Sequence, residues 1–156
     1  MNDYFKRLFI YNDWANETII ENLQACDMEE NSDALKITSH LINAQFIWMS
    51  RITNDSGLHI PAWKTHPLSE LTSLAKRATE IWLPYIDNLT EQELNMSFDY
   101  SNSAGDQFTN TVGDALPHIV NHASYHRGQV AKLIRAKGFD PVNTDFITYA
   151  RSVEKK

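Results

Sequence analysis

Four long segments of this chain carry apolar residues at helical spacing, and together they cover most of its 156 residues. Positions three and four apart share one face of a helix, so this spacing predicts helices over 3–25, 31–53, 69–89 and 112–137. Each apolar face has to be buried against another element, and four such helices pack together as a bundle. The sequence therefore predicts an all-α four-helix bundle formed by a single domain over 1–156.

Residues that favour helix ends mark the boundaries of these segments. Ser32 and Ser69 are the predicted N-caps of the second and third helices, because a side-chain oxygen there can accept from a free backbone N–H of the first turn. Thr111 and Asp114 have the spacing of a capping box at the start of the fourth helix. Gly138 is predicted to follow its end, where a left-handed backbone conformation favours glycine.

The connecting segments are predicted from their proline, glycine and polar residues. The stretch 54–68 holds two prolines and a glycine, which predicts a long loop. Two short strands, Ser97–Ser101 and Gln107–Asn110, are predicted around a glycine-containing turn. Pro84 is expected to kink the third helix or to end it early, because proline lacks a backbone N–H. The tail after Gly138 is expected to add one short helix.

Charge and cysteine content exclude several classes of function. A net charge of −6 and the lack of a basic run argue against binding to nucleic acid or to an anionic membrane surface. Cys26 is the only cysteine, so no intrachain disulfide can form, which fits a reducing compartment. The first residues lack the apolar core of a signal peptide, and no run of 18 apolar residues occurs. These features predict a cytoplasmic protein without a membrane partner.

Three histidines at intervals of four residues lie in the fourth helix. His118, His122 and His126 share one broad helix face, and an i,i+4 pair can present two imidazoles to one metal ion. The outer two are about 12 Å apart along the helix axis at ~1.5 Å per residue, too far for one ion to bind all three easily. The spacing therefore predicts one adjacent pair plus a ligand from elsewhere, and it leaves open whether the pair is 118/122 or 122/126.

His40 is the best candidate for that third ligand. It lies in the most apolar part of the second helix, and an unpaired imidazole buried there would cost free energy that a metal would remove. The alternative is that all of these histidines are ordinary surface or hydrogen-bonded core residues. His59 and His66 lie in the proline-containing loop, and both are expected to be solvated.

Two residues that follow His126 lead to further predictions. Gly128 interrupts the helix at a cost of about 1 kcal/mol relative to alanine, which suggests the close approach of another group. Arg127 is expected to pair with an acidic group, to hold a substrate anion, or to lie on the surface. No glutamate stands between His122 and His126, so the base of a zinc protease of the H-E-x-x-H type is missing.

Three separated motifs resemble the DinB-like (YfiT-type) metal-binding family, which shares its name with an unrelated DNA polymerase. HIVNHASYHRGQVAKLIRAKG matches the NH-x-x-x-HRGQ helix of that family. His40 lies in an apolar helix upstream, as a family histidine does, and YNDWANETII is similar to the first helix with its WAN motif. The closing DFITYAR is also similar, so the resemblance spans nearly the whole chain.

The resemblance implies a fold, a metal and an assembly. The family fold is a four-helix bundle with up-down-down-up topology, and its members are usually homodimers. A divalent metal, commonly nickel or zinc, is held by three histidines, which correspond here to His40, His122 and His126. His118 would then lie one turn before the metal, where it could assist proton transfer.

Three functions are compatible with such a site. Related proteins transfer or isomerise groups with low-molecular-weight thiols such as bacillithiol, mycothiol or glutathione, so the first hypothesis is a metal-dependent thiol S-transferase acting on a small electrophile. The second is a metal-dependent hydrolase, in which His118 or a carboxylate would act as base. The third is a stress-related metal-binding protein without turnover.

Overall fold

The computed structural model describes residues 1–153 of the chain and is mostly helical, as the sequence predicts. Its helices are α1 (Asn2–Ala25), α2 (Asp33–Thr53), α3 (Leu68–Asp87), α4 (Glu91–Leu94), α5 (Val112–Ala136) and α6 (Phe146–Val153). Two antiparallel strands, β1 (Ser97–Ser101) and β2 (Gln107–Thr111), form a hairpin before α5. The four long helices form the bundle, and α6 is the short helix expected in the tail. No helix among the described residues is both long and apolar enough to cross a membrane.

Most of the predicted helix ends are confirmed. The Ser32 side chain accepts from the N–H of Leu35, and Thr111 and Asp114 form both bonds of the capping box. Gly138 has φ +89°, and its N–H and that of the next residue return to carbonyl groups of the last turn of α5. The resulting reversal ends the helix where the glycine predicts.

The predicted N-cap of α3 is wrong, whereas the helix ends close to the predicted position. The helix begins at Leu68 with Pro67 in the cap position, so Ser69 lies inside the first turn and makes no cap. The carboxylate of Glu30 accepts from the N–H of Leu68 at 3.1 Å, so a distant side chain satisfies this donor instead. The helix continues through Pro84 and ends at Asp87. A proline this close to a helix end removes only one bond of the ladder.

Two contacts, one near the start of α1 and one near its middle, show that α1 and α3 are antiparallel. Lys6 Nζ near the start of α1 lies 2.8 Å from Asp87 Oδ2 at the end of α3. Further along α1, Asp13 accepts a hydrogen bond of 2.6 Å from the hydroxyl of Thr79, which comes earlier in α3. The two helices therefore run in opposite directions.

In contrast, α2 and α3 are parallel. The N–H of Leu68 at the start of α3 reaches Glu30, just before α2 begins. The indole N–H of Trp82, late in α3, donates to the carbonyl oxygen of Gln45 in the second half of α2 at 3.2 Å. Both contacts advance in the same direction along the two helices.

The last long helix runs opposite to α2. The ring of His40 lies 4.8 Å from that of His126, whereas Trp48 lies 4.8 Å from His118. Following the interface in the direction in which residue numbers rise in α2, the facing residue numbers in α5 fall. With α1 taken as up, α2 and α3 run down and α5 runs up, so the up-down-down-up topology is confirmed.

The connection between the parallel helices, residues 54–67, returns along the side of α2. The Asn43 side-chain amide donates to the carbonyl oxygen of Lys64 at 2.7 Å. Closer to the start of α2, the hydroxyl of Ser39 accepts from the N–H of His66 at 3.0 Å. This returning segment lies beside the part of α2 that carries His40.

Candidate metal centre

Three histidines from two helices converge at the α2–α5 interface. Nε2 of His122 lies 3.3 Å from Nε2 of His40 and 3.2 Å from Nε2 of His126. A nitrogen of each ring lies within 4.8 Å of the others, a spacing compatible with one shared metal ion. His126 is buried, and the other two rings are partly buried. The structure thus brings together the three histidines that the family resemblance implies.

His118 lies beside this group but does not join it. Its ring centroid is 5.6 Å from that of His122, and the residue lies one helical turn earlier in α5. The residue is exposed, and its ring packs with its edge against Trp48, 4.8 Å away. Of the two pairs that spacing leaves open, the pair 122/126 is the one that meets His40.

Hydrogen bonds to the opposite nitrogens orient two of the rings. The carbonyl oxygen of Ala62 lies 2.9 Å from Nδ1 of His40, and Oε1 of Gln129 lies 2.8 Å from Nδ1 of His126. An oxygen of this kind only accepts, so each Nδ1 carries the hydrogen and each Nε2 keeps a lone pair. Such a partner on the remote nitrogen is typical of histidines that bind metals.

The geometry and chemistry of the three nitrogens fit a divalent metal. Zinc–nitrogen bonds of about 2.0–2.1 Å in a tetrahedral site place two ligand atoms about 3.4 Å apart, close to the two shortest Nε2–Nε2 distances here. His122 Nδ1 is buried without a hydrogen-bond partner among the described residues. Three imidazoles are suitable ligands for zinc or nickel, and they leave at least one coordination position open.

Burial lowers the pKa of two of these rings, those of His122 and His40. Burial, followed by the neighbouring charges of His126, His40 and His118, lowers the pKa of His122 from 6.5 to about 4. Burial also lowers the pKa of His40, while the hydrogen bond to Ala62 opposes this effect. Metal binding requires the neutral imidazole, so these pKa shifts favour it at neutral pH.

An indole ring covers the outer side of His40. Trp63, in the returning segment 54–67, stacks on the His40 ring with centroids 3.9 Å apart and planes 9° from parallel. Trp63 itself is 62% exposed, so it separates the histidines from solvent.

Asn43 holds this segment through its amide nitrogen, and its Oδ1 lies 2.8 Å from Nε2 of His66. The expectation that His66 is solvated is therefore wrong, because it is buried, whereas His59 is exposed as expected.

Comparison with known proteins shows the family of this chain. The family model described as "DinB family" matches residues 1–156. The chain belongs to the DinB family. It is also 26% identical to protein DinB of Bacillus subtilis (strain 168), over 96% of this chain and 95% of that protein.

The WAN and HRGQ motifs of this DinB-family chain meet at the buried Arg127. Its Nη1 donates to the Oδ1 atoms of Asn12 and Asn16 at 2.8 and 2.7 Å, and its Nη2 donates to Ser124 Oγ at 2.9 Å. The phenol oxygen of Tyr11 accepts a longer bond of 3.3 Å. No carboxylate lies within ion-pairing distance of Arg127 in the described part of the chain. The expectation of an acidic partner or a surface position for this arginine is wrong.

The neighbouring glycine does not serve a close approach. A Cβ added to Gly128 would meet no atom within 4 Å, and the position is exposed. The expectation of a group packed against it is therefore wrong, because α5 turns this position towards solvent rather than towards another helix.

Three residues of the site are missing from the sequence-based prediction. Gln129 follows His126 by three positions and could have been proposed from helix geometry, since residues three apart are neighbours. Asn43 is a polar residue within an apolar helix and could have indicated a buried hydrogen-bonded group. Trp63 gives no such signal, because its position over His40 depends on the path of a long loop.

Proposed function

We propose that this protein is a metal-dependent transferase that joins a low-molecular-weight thiol to a small electrophile. One observation carries the proposal: the Nε2 atoms of His40, His122 and His126 converge while two of their Nδ1 atoms are held by oxygen acceptors. The three histidines would hold zinc or nickel as neutral ligands. A metal at this position, when bound, would lower the pKa of a thiol and hold it as the more nucleophilic thiolate.

The surrounding residues have separate tasks in this proposal. Ala62 and Gln129 keep the rings of His40 and His126 oriented, and Trp63 limits the access of water to them. His118 lies next to His122 and is exposed, so it is placed to pass the thiol proton to solvent. We further propose a homodimer in the cytoplasm, on the strength of the family resemblance.

Hydrolysis is the second candidate, because a carboxylate stands on the same helix face as His118. Asp114 precedes His118 by four residues, and both line one cavity. However, the Asp114 carboxylate accepts from the backbone N–H of Thr111 at 3.1 Å, and hydrogen bonding with Thr111 lowers its pKa. A carboxylate held in this way is a weak base, so thiol transfer is the better supported reaction.

Elemental mass spectrometry of the untagged protein tests the metal site, with His122→Ala and His118→Ala as a matched pair. We expect about one equivalent of metal in the wild-type protein and in His118→Ala, and loss of the metal in His122→Ala. Wild-type protein that is isolated without metal and cannot be reloaded with zinc or nickel would refute the site and both enzymatic functions.

A thiol-transfer assay with monochlorobimane then tests the reaction. The thiol sulfur bonds to the electrophilic carbon, chloride leaves with the electron pair of the broken bond, and the thiol proton passes to solvent. We expect metal-dependent acceleration with at least one of bacillithiol, mycothiol and glutathione. Hydrolysis of activated esters without thiol transfer would favour the hydrolase, and a metal-loaded protein inactive in both assays would favour a non-catalytic metal-binding protein.

A further inference from the structure

A cavity of about 330 Å³ lies one helical turn from the three histidines, between α2, the hairpin and α5. Its lining residues are Trp48, Tyr100, Asn110, Asp114, Ala115 and His118. We call this the aromatic cavity. Its volume is at the lower end of the range of about 300–1,000 Å³ for small-molecule sites, so it suits a ligand with one or two rings.

His118 connects the aromatic cavity to the candidate metal centre. Its ring lines the cavity and lies 5.6 Å from the ring of His122. A molecule in the cavity would therefore have one end beside the three histidines, where the thiol is proposed to bind. This arrangement is the one that a two-substrate reaction requires.

Two aromatic rings form a wall that is fixed before any ligand binds. The rings of Trp48 and Tyr100 meet edge to face with centroids 5.1 Å apart. The guanidinium carbon of Arg51 lies 4.9 Å from the Trp48 ring and 4.6 Å from the Tyr100 ring. Arg51 also donates to the carbonyl oxygen of Ser101 at 3.0 Å, which ties this cation to the hairpin. The wall is thus preorganised, and little conformational entropy remains to be lost on binding.

Several polar groups of the cavity are already engaged with protein partners. The hydroxyl of Tyr100 donates to Oδ1 of Asn110 at 3.0 Å, and Asp114 Oδ2 accepts from the backbone N–H of Thr111 at 3.1 Å. A ligand would gain less from these groups than from the ring faces. The negative charge of Asp114 and the positive charge of Arg51 on the wall oppose each other, so the cavity favours neither an anionic nor a cationic ligand.

We propose that the aromatic cavity binds the electrophilic substrate, and that this substrate is a small, planar, uncharged molecule with an aromatic or conjugated ring. The assignment of the ligand as an electrophile rests on the proposed function, whereas the preference for a flat ring rests on the cavity alone. Trp48 and Tyr100 are the residues that determine this preference.

Ligand-observed NMR titrations with benzyl alcohol and cyclohexylmethanol test the preference without any turnover. The two probes carry the same polar group on rings of similar size, and only one ring is aromatic. We expect the wild-type protein to bind benzyl alcohol about three- to tenfold more tightly, the difference that one aromatic contact typically gives. Trp48→Leu should remove most of that difference and should change cyclohexylmethanol binding less than twofold.

Two further variants keep the test decisive. Tyr100→Leu changes the other ring of the wall and replaces Trp48→Leu if that variant does not fold. Trp63→Leu is the matched control, since Trp63 is also a tryptophan beside the histidines but does not line the cavity. Equal binding of both probes to the wild-type protein, or the same loss in Trp63→Leu as in Trp48→Leu, would overturn the proposal.

The binding and transfer experiments can fail separately. Selective binding of benzyl alcohol that depends on Trp48, in a protein without thiol-transfer activity, would support the aromatic cavity and refute the transferase. Thiol transfer with equal KM for matched aromatic and aliphatic electrophiles, unchanged in Trp48→Leu, would support the transferase and overturn the assignment of the cavity.

Discussion

Replacing His122 by leucine measures what it costs to gather three imidazoles in the absence of a metal. The buried Nδ1 of His122 has no hydrogen-bond partner among residues 1–153, and an unsatisfied buried polar group costs about 1–3 kcal/mol. Leucine of similar size would remove this cost and add apolar surface. In the presence of a chelator at pH 8, we expect His122→Leu to be at least as stable as the wild-type protein, although it cannot bind the metal.

The same variant should change how stability depends on pH. The unfolded chain protonates His122 near pH 6.5 and the folded protein only near pH 4, so between these values the unfolded state binds more protons. The free energy of unfolding of the metal-free protein therefore falls as pH falls through this interval. At pH 5 the full shift corresponds to about 2 kcal/mol, and solvent screening of this partly exposed ring reduces it to about 1 kcal/mol.

Urea unfolding of chelator-treated proteins at pH 8 and pH 5 provides the measurement. Wild-type protein should lose about 1 kcal/mol more than His122→Leu between the two pH values. His59→Ala removes an exposed imidazole outside the site and serves as the control, with no expected difference from the wild type. A loss of more than about 2 kcal/mol in His122→Leu at pH 8, or identical pH dependence in all three proteins, would refute the reasoning.

Three further predictions concern residues outside the histidine group. Asn16→Leu removes one acceptor of the buried Arg127, and we expect a loss of about 1.5–3 kcal/mol in urea unfolding, the usual contribution of a hydrogen bond to a charged group; a loss below 0.5 kcal/mol would contradict this view of the network. Gly128→Ala should stabilise the protein by about 0.5–1 kcal/mol, because it adds a helix-favouring methyl group in open space. Gly138→Ala should destabilise it by about 1 kcal/mol, because φ is +89° there, and equal melting temperatures for the two alanine variants would show that at least one of these two expectations is wrong.

Most of the bundle could be predicted because its helices follow local rules. The apolar spacing and the caps at Ser32 and Thr111 act within a few residues, and both caps form as predicted. Ser69 has the same preference for a cap, yet α3 begins before it because the carboxylate of Glu30 satisfies the first N–H. That contact joins residues 38 positions apart, so it depends on how the helices pack and cannot be predicted from the neighbouring sequence.

The histidine group was predictable only in part for the same reason. The spacing of His122 and His126 follows from one helix, and it left two possible pairs. The choice between them depends on which turn of α5 His40 contacts. The family resemblance implied this contact, and helix packing determines it. Arg127 was misread because its partners, two asparagines of α1, are more than 100 residues away in sequence.

The cover that Trp63 forms over His40 is a consequence of the order in which the helices are connected. Two consecutive helices that run in the same direction cannot be joined by a tight turn, so residues 54–67 have to travel back over the length of a helix, about 30 Å for 20 residues. That return path carries Ala62 and Trp63 past His40. In a bundle of strictly alternating helices, the same three histidines would face open solvent on this side. Changes of length or sequence in the returning segment 54–67 can therefore alter which molecules reach the three histidines while every helix stays in place.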